Sequence, residues 1–448
     1  MKLRFLGGAG EVGRSAVLVN DSLLLDYGML TGNPPSFPVG GHRGIDPEAV
    51  VVSHGHLDHA GTVPALLSGD NRPPVHWTPP TYELALTLAR DTLKLHGGSY
   101  NCPFTENDIK RVTEVSKTHE YRETFEAAGH EVTFYNAGHI PGSAHVLVDD
   151  SGVQSTPGNR TQSDAGDTRL LYTGDFYTDD RRDDGVTPGR ANGREASVGG
   201  QRLVAGTTAR PDADVVVCES TYSDVEHEDR AGVEERFAES VRTTLWEGGS
   251  VVVPAFAIGR TQEMLLVCEA YDIPCYVDGM GTEVTRMLRQ YPGFVRDADA
   301  LRRATSHARF VDGRDGQRRR IVDSGTVVVT TSGMLSGGPA MTYIPEIRAN
   351  PTNKITLTGY QVEGTPGREL LDTGSAEIDG RVMPVAARVE SYDFSAHADR
   401  EGLLDFLDAY RDAAVLVNHG DRCVAFAEEL GADGFDASAP ELGETVLV

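Results

Sequence analysis

The chain has 448 residues, of which 39% are hydrophobic. It contains no run of about 18 apolar residues, the length that a membrane-spanning helix needs, and it is too long for one typical core, so we expect two domains. The 67 Asp and Glu residues exceed the 41 Lys and Arg residues and give a net charge of −26. Because this acid is spread along the chain and only five basic residues are lysine, it indicates adaptation to molar salt rather than a basic partner.

The start of the chain and the cysteine usage point to a cytoplasmic protein. The N-terminus enters a strand directly, without a basic or apolar signal region. The five cysteines form no CxxC pair and lie far apart, at Cys102, Cys218, Cys268, Cys275 and Cys423. They are therefore predicted to be buried thiols, and nothing supports a zinc knuckle or a disulfide framework.

The first 178 residues alternate short strands with two helices. We predict strands at 2–6, 16–20, 23–26 and 49–54, helices at 82–95 and 106–115, and strands near 131–135, 145–148 and 170–173. Residues 151–167 and 179–211 carry too few aliphatic side chains for a core and are predicted to be exposed insertions. From residue 214, the runs DVVVCES, SVVVPAF, CYVDGM, TVVVTTSGM and NKITLTGY alternate with helical stretches such as 228–246 and 261–271. This alternation predicts a parallel α/β sheet.

The early stretch LGGAGEVGRS raises the question of a dinucleotide site. Gly8, Gly10 and Gly13 have the G-x-G-x-x-G spacing. Such a site needs a helix after the third glycine, because the helix N-terminus faces the pyrophosphate. Here the short apolar run AVLV follows and predicts a strand. We therefore predict a strand-to-strand loop and no dinucleotide site.

The strongest chemical signal is VVVSHGHLDHAG at residues 50–61. A strand of buried type leads into four potential ligands in H-x-H-x-D-H order: His54, His56, Asp58 and His59. Imidazole and carboxylate donors suit Zn²⁺. A catalytic ion usually takes three protein ligands, so four local donors can serve two ions if others join them.

Further donors occur at later junctions between strands and loops. His139 lies in YNAGHIPGS, Asp175 in LLYTGDF and His419 in LVNHGD. A carboxylate such as Asp175 can bridge two ions, and two ions about 3.5–4 Å apart polarise a phosphoryl oxygen. Asp26, in LLLDYG, is expected to hold a ligand imidazole from behind.

Together these motifs resemble the metallo-β-lactamase fold and its β-CASP branch. CESTY at Glu219, DFSAHAD at His397 and NHGD at His419 are similar to motifs A, B and C of that branch. VPAFAIGRTQEMLL, VDGMG, TSGMLSGGPA and TGYQVEGTPGR resemble the inserted β-CASP domain of RNA cleavage factors, including the archaeal cleavage and polyadenylation specificity factors. The resemblance covers nearly the whole chain apart from the two acidic insertions. It implies an α/β protein: an αββα sandwich at 1–178 and 387–448 with an inserted α/β cap domain at 179–386.

The resemblance also implies a two-zinc site and the roles of its residues. One Zn²⁺ is held by His54, His56 and His139. The other is held by Asp58, His59 and His419, and Asp175 bridges the two ions. A hydroxide attacks phosphorus in line, assisted by Asp58 and Asp175 as metal ligands. His397 fits the general acid, and Glu219 is placed to orient or tune a histidine.

A groove between the two domains is expected to hold the RNA strand. Candidate phosphate contacts are Arg260 at the start of a predicted helix, the backbone N–H groups of Ser332 and Gly333, and the glycine loop at Gly364. Helix N-termini and glycine loops receive phosphates well. Molar salt weakens bare phosphate attraction, so directed hydrogen bonds are expected to carry more of the affinity.

The motifs thus predict a zinc-dependent ribonuclease, endonucleolytic in mRNA 3′-end processing or RNA decay. A 5′→3′ exoribonuclease of the RNase J kind remains an alternative. A DNA nuclease of the same branch is another, although those relatives commonly carry Val where this chain has His419. A scaffold without metal and a small-molecule hydrolase are disfavoured, because all seven ligand positions and the cap motifs are present. We expect no membrane partner and no N-terminal KH domain, and a homodimer is compatible with these motifs.

Overall fold

The computed structural model describes residues 1–448 except 33, 100, 151–167, 179–189, 192–193, 196–199, 315 and 379. The predicted insertion at 151–167 therefore lies outside the described residues, as does much of the one at 179–211. The chain divides into two compact units. Unit 1 comprises Met1–Asp179, Gly206–Glu226 and Ala396–Val448, and unit 2 comprises Asp180–Ala205 and His227–Ser395. Within the described part, no helix combines the length and hydropathy needed to span a membrane.

The described residues form strands and helices with the following bounds. The strands are β1 (Lys2–Gly7), β2 (Ala16–Val19), β3 (Leu23–Leu25), β4 (Ala49–Val51), β5 (Val75–Trp77), β6 (Ser116–Thr118), β7 (Thr124–Ala127), β8 (His130–Asn136), β9 (Ala144–Asp149), β10 (Arg169–Tyr172), β11 (Arg190–Ala191), β12 (Arg194–Glu195), β13 (Val215–Glu219), β14 (Val251–Pro254), β15 (Cys275–Asp278), β16 (Arg309–Phe310), β17 (Val327–Thr330), β18 (Lys354–Leu357), β19 (Ser375–Ile378), β20 (Arg381–Pro384), β21 (Arg388–Ser391), β22 (Ala414–Asn418), β23 (Asp436–Ser438) and β24 (Thr445–Leu447). The helices are α1 (Leu57–Ala60), α2 (Val63–Leu66), α3 (Pro79–His96), α4 (Glu106–Val115), α5 (Arg230–Trp246), α6 (Arg260–Ala270), α7 (Met280–Leu288), α8 (Ala298–His307), α9 (Gln317–Val322), α10 (Ala340–Ile347), α11 (Pro366–Thr373), α12 (Arg400–Leu407) and α13 (Cys423–Ala432).

Unit 1 is built on two β-sheets. Sheet A has the strand order β24-β1-β2-β3-β4-β5-β6, and sheet B has the order β23-β22-β13-β10-β9-β8-β7. The strands are apolar at successive positions because alternate side chains point to opposite faces and both faces are covered. In β2, for example, all four residues are buried. Residues 8–15 connect β1 to its antiparallel neighbour β2, so this segment is a strand-to-strand loop, as predicted.

Three apolar clusters define four layers in unit 1. The first cluster lies between the sheets and joins side chains of sheet A to side chains of sheet B, among them Leu3, Phe5, Val17, Phe134, Val146 and Leu170. The second packs the other face of sheet A on α3 and α4, among them Leu18, Leu24, Leu86 and Ile109. The third packs the other face of sheet B on α12 and α13, among them Leu171, Val216, Phe406 and Phe426. The predicted helix–sheet–sheet–helix order is confirmed.

Unit 2 contains a six-stranded sheet in the order β16-β15-β17-β14-β18-β21. Every pairing in it is parallel, which confirms the α/β prediction for this region. Its buried core joins Val252, Val328 and Ile355 of the central strands to Tyr343 and Ile344 of α10.

The two units are bounded differently from the predicted domains. The run DVVVCES forms β13, which pairs in parallel with β10 and β22 of sheet B. Glu219, the last residue of β13, therefore lies in unit 1, within the range 179–386 that the sequence assigns to the inserted cap domain. Strand and helix alternation cannot show which sheet a strand joins, because the partner strands are distant in sequence. The extents of the two domains stay a prediction.

Candidate metal centre

The predicted donors meet at one end of the two sheets of unit 1. Strand β4 ends at Val51, and the segment after it carries the four donors of HGHLDH into α1. Strands β10, β13 and β22 are parallel neighbours in sheet B, so their carboxyl ends lie on the same edge. This topology places Asp175, Glu219 and His419 beside one another although they are distant in sequence.

The first set of donors is His54, His56, His139 and Asp175. His56 Nδ1 lies 3.2 Å from His54 Nε2 and 3.1 Å from His139 Nε2. The Oδ2 atom of Asp175 lies 3.6 Å from His54 Nε2. Three imidazole nitrogens and one carboxylate oxygen therefore surround a single point.

The second set is Asp58, His59, Asp175 and His419. The Oδ1 atom of Asp175 lies 3.2 Å from His59 Nε2 and 3.5 Å from His419 Nε2. Asp58 Oδ2 lies 3.7 Å from His419 Nε2. Each carboxylate oxygen of Asp175 thus faces its own set. The assignment of these residues to two ions, which the resemblance implies, stays a prediction.

The donor atoms are arranged to bind metal ions rather than to form hydrogen bonds with one another. Buried polar atoms are almost always hydrogen-bonded, yet Nε2 of His59, Nε2 of His419 and Oδ1 of Asp175 are buried without a hydrogen-bond partner. A tetrahedral zinc ion with ligand bonds of about 2.0–2.1 Å keeps its donors about 3.4 Å apart, and the separations above scatter around that distance. The arrangement can therefore hold a metal ion in each set.

Other groups of the protein contact the Nδ1 atoms of two ligand imidazoles, on the side of each ring that faces away from the donor cluster. The Nδ1 atom of His59 lies 2.7 Å from Oδ2 of Asp26. Asp26 also accepts hydrogen bonds from the Ser53 hydroxyl at 2.7 Å and the Tyr172 hydroxyl at 2.8 Å. His139 Nδ1 donates to the carbonyl of Ala396 at 2.9 Å. These contacts fix the orientation of the His59 and His139 rings, as outer partners of metal ligands commonly do.

Sequence reasoning missed the contacts of Ser53, Tyr172 and Ser15. The Ser15 hydroxyl lies 2.7 Å from His419 Nδ1. Isolated hydroxyl residues carry no local signal, although Ser53 directly precedes HGHLDH. The backbone gives a further sign of constraint, because Asp26 and His419 have φ values of 56° and 49°. Residues other than glycine rarely adopt positive φ, and they do so more often at functional sites.

The electrostatics of the site favour a bound cation. Burial and the neighbouring His59 hold the pKa of His54 well below its usual value, which keeps this imidazole neutral and able to bind metal. Burial opposes the charged form of His59 too, but the carboxylates of Asp175 and Asp26 raise its pKa well above the usual value. Despite its burial, Asp175 has a pKa far below its usual value because His419 and His59 adjoin it. A bound metal ion would neutralise the negative charge of the Asp175 and Asp26 carboxylates, the same charge that raises the pKa of His59.

His397 and Glu219 form a third group beside Asp175. His397 Nδ1 lies 3.2 Å from Glu219 Oε1, and its Nε2 lies 3.9 Å from Asp175 Oδ2. Glu219 is fixed by the backbone N–H groups of Phe176 and Thr221. Burial opposes charge on His397, but the carboxylates of Glu219, Asp175 and Asp58 together raise the pKa of His397 to about 9, with Glu219 making the largest contribution to this rise. His397 can therefore hold a proton beside the donor sets at neutral pH.

The residues predicted for RNA contact lie in unit 2 and are engaged in different ways. Arg260 begins α6 as predicted, but its side chain is largely buried and pairs with Glu263 at 2.8 Å. The N–H of Ser332 donates to the carbonyl of Gly337 at 3.1 Å. Gly333 is buried, whereas Gly364 is exposed with a φ of 78°. Their role in RNA binding stays a prediction, and of the four Gly364 is the most accessible.

Two family models match the C-terminal half of the chain. A Beta-Casp domain matches residues 261–370. A Zn-dependent metallo-hydrolase RNA specificity domain matches residues 382–440. The second match includes both His397 and His419 of the site described above.

Curated relatives and one solved structure match along nearly the full chain. "Probable RNase MJ4" of Methanocaldococcus jannaschii is 31% identical and covers 100% of both chains. "RNase aCSPSF2" of Saccharolobus solfataricus is 32% identical over 99% of this chain and 85% of its own length. "RNase J-like protein" of M. jannaschii is 31% identical over 94% of this chain and 92% of its own. A crystal structure of a protein of unknown function from Enterococcus faecalis V583 covers 100% of this chain and 99% of its own, with a TM-score of 0.58 and 13% identity, and supports the fold alone.

Proposed function

Since this chain belongs to the β-CASP ribonucleases of the metallo-β-lactamase fold, we propose that it is a two-zinc enzyme that cuts RNA internally. The family makes it a metal-dependent ribonuclease, a hydrolase of RNA phosphodiester bonds. Two zinc ions, the ligand assignments and endonucleolytic action in mRNA 3′-end processing or RNA decay are our proposal.

One observation carries the two-ion assignment. Asp175 lies between two donor sets and directs one carboxylate oxygen to each. We assign His54, His56 and His139 to the first ion and Asp58, His59 and His419 to the second, with Asp175 shared. Asp26 supports the second set, because it holds the outer nitrogen of His59.

Two Zn²⁺ ions held there would polarise a phosphoryl oxygen and make water nucleophilic near neutral pH. Hydrolysis forms a bond between a water oxygen and phosphorus and breaks the bond to the 3′ oxygen of the upstream nucleotide. That leaving oxygen needs a proton, and His397 can donate it from Nε2. Glu219 orients the ring through Nδ1 and favours its charged form.

The mode of cleavage has a second candidate. A relative of this chain is named RNase J-like, so 5′→3′ exonucleolytic trimming is the alternative to internal cutting. We place the activity in the cytoplasm and consider a homodimer compatible with it. Adaptation to molar salt also stays a prediction.

The test uses the full chain, stripped with a chelator and then reloaded with zinc. RNA carrying a 5′-triphosphate or a 5′-monophosphate is compared with DNA of the same sequence and with a thioester. We expect two zinc ions per chain by elemental analysis, RNA cleavage that requires zinc, and internal cuts that do not depend on the 5′ end. Stepwise products from the monophosphate RNA alone would support the exonuclease instead. A protein that binds no zinc and cuts no RNA when zinc is supplied would overturn the proposal.

A further inference from the structure

The glycine-rich loop at residues 8–15 has no role in the chemistry described so far, yet it reaches the metal centre. Ser15, its last residue, is completely buried. Its hydroxyl lies 2.7 Å from His419 Nδ1, the ring nitrogen directed away from the donor cluster. With the hydroxyl accepting from Nδ1–H, the lone pair of Nε2 is directed toward Asp58 and Asp175.

The same loop holds other parts of the second donor set. The backbone N–H of Ser15 donates to the carbonyl of Asp58 at 2.7 Å. At the other end of the loop, the carbonyl of Gly8 accepts from the backbone N–H of His419 at 2.7 Å. Residues 8–15 therefore contact the backbone of two ligands and the side chain of one.

The glycine at position 8 is needed for this close approach. Gly8 has a φ of 82°, which favours glycine. A Cβ atom there would lie 2.8 Å from Nδ2 of Asn418, the residue before His419. A side chain at position 8 would therefore force either the loop or the Asn418 side chain, at the end of β22, to shift.

The first donor set is held by different groups. His139 Nδ1 donates to the Ala396 carbonyl, and His54 Nδ1 lies 3.2 Å from the Ser53 hydroxyl. Among the hydrogen bonds of the described residues, none joins 8–15 to His54, His56 or His139. The loop thus forms hydrogen bonds with residues of the second donor set and not with the histidines of the first.

We propose that Ser15 is a positioning residue for the second metal ion, and that loop 8–15 serves to hold the ligands of that ion. This inference rests on the proposed two-ion function. Outer partners of a metal-binding histidine fix its tautomer and ring orientation, and losing one weakens metal binding about 10–100-fold. Loss of the Ser15 hydroxyl is expected to weaken binding of the second ion and leave the first unchanged.

The test is zinc titration of the stripped full chain against a competing chelator, for the wild type, Ser15→Ala and a control. Ser250→Ala is the matched control, because Ser250 is equally buried but lies in unit 2, where its hydroxyl bonds the Val322 carbonyl. For Ser15→Ala we expect an unchanged first binding step and a second Kd raised about 10–100-fold. Its cleavage of RNA should recover as free zinc is raised. The control should match the wild type in both steps.

The outcomes separate this inference from the proposed function. A wild type that binds a single ion would overturn the two-ion proposal itself. A wild type that binds two ions, with a Ser15→Ala variant whose second step is unchanged or whose two steps weaken equally, would overturn only the role of Ser15. If Ser15→Ala fails to fold, Gly8→Ala is measured by the same criteria, since it disturbs the contact between the loop and the end of β22 and leaves the hydroxyl present.

Discussion

Each unit contains a buried polar cluster, and the two clusters differ in how their atoms are paired. In unit 1, imidazoles and carboxylates converge on two points where several donor atoms have no hydrogen-bond partner. In unit 2, charges of opposite sign alternate. The Arg230 guanidinium pairs with Glu234 at 2.9 Å and Glu263 at 3.1 Å, and Glu263 also pairs with Arg260 at 2.8 Å.

The unit 2 cluster balances its charges within the protein. Arg230 is almost completely buried, but it also donates to the carbonyls of Gln201 and Phe394. Burial lowers the pKa of Arg260 to about 10, and Glu263 limits that fall. Among the described residues of unit 1, by contrast, Nε2 of His59, Nε2 of His419 and Oδ1 of Asp175 have no hydrogen-bond partner. A buried polar cluster thus indicates a ligand site when its donor atoms converge without hydrogen-bond partners, and a structural site when ion pairs satisfy its charges.

Removing the shared donor of unit 1 should have the largest effect. Asp175→Ala is expected to lose both zinc ions and to cleave RNA no faster than the metal-free protein, because Asp175 serves both sets. Elemental analysis and a cleavage assay would measure this. Asp21→Ala, an exposed carboxylate of the same unit, should behave as the wild type. An Asp175→Ala protein that kept two zinc ions would contradict the role of Asp175 as the donor shared by both sets.

His397→Ala should separate chemistry from metal binding. We expect unchanged zinc content and a cleavage rate reduced about 10²–10⁴-fold, the usual contribution of a general acid. His96→Ala, an exposed histidine of α3, is the control. Cleavage at the wild-type rate would mean that His397 is not the general acid.

Breaking the unit 2 cluster should reduce stability and spare the metals. Arg230→Met leaves Glu234 and Glu263 without their shared partner, and removing one member of a buried ion pair costs about 3–5 kcal/mol in the free energy of unfolding. Denaturant unfolding would measure the loss, and the folded variant should bind zinc normally. Arg302→Met, which breaks an exposed pair with Asp299, should cost at most about 1 kcal/mol. Loss of zinc at full stability would contradict the structural role of the cluster.

The smallest expected effect is a change in pH dependence. In Glu219→Gln the carboxylate that raises the pKa of His397 is absent, so the imidazolium should lose its proton at lower pH. Because a general acid acts only when protonated, the alkaline limb of the rate profile should move down by about 1–3 pH units. Zinc content should stay the same. An unmoved alkaline limb would show that Glu219 does not tune His397.

The sequence by itself determined the local half of the metal centre and the kind of fold. HGHLDH places four donors within six residues after a strand, and strand–helix alternation after residue 214 reflects a parallel sheet, because both patterns depend on neighbours in the chain. Junctions between strands and loops offered His139, Asp175 and His419 as further candidate donors. The resemblance implied how the donors divide between two ions, and it gave the roles of His397 and Glu219.

Only the tertiary structure decided which distant atoms meet. Ser15 and His419 are 404 residues apart, and no periodicity links them. Arg260, whose contact with phosphate stays a prediction, pairs with Glu263 inside unit 2. Strand β13 joins sheet B although it precedes the helices of unit 2. The physical reason is that hydrogen bonds, ion pairs and sheet pairings form between whatever groups the packed core brings together, whereas local sequence patterns record only how each segment folds.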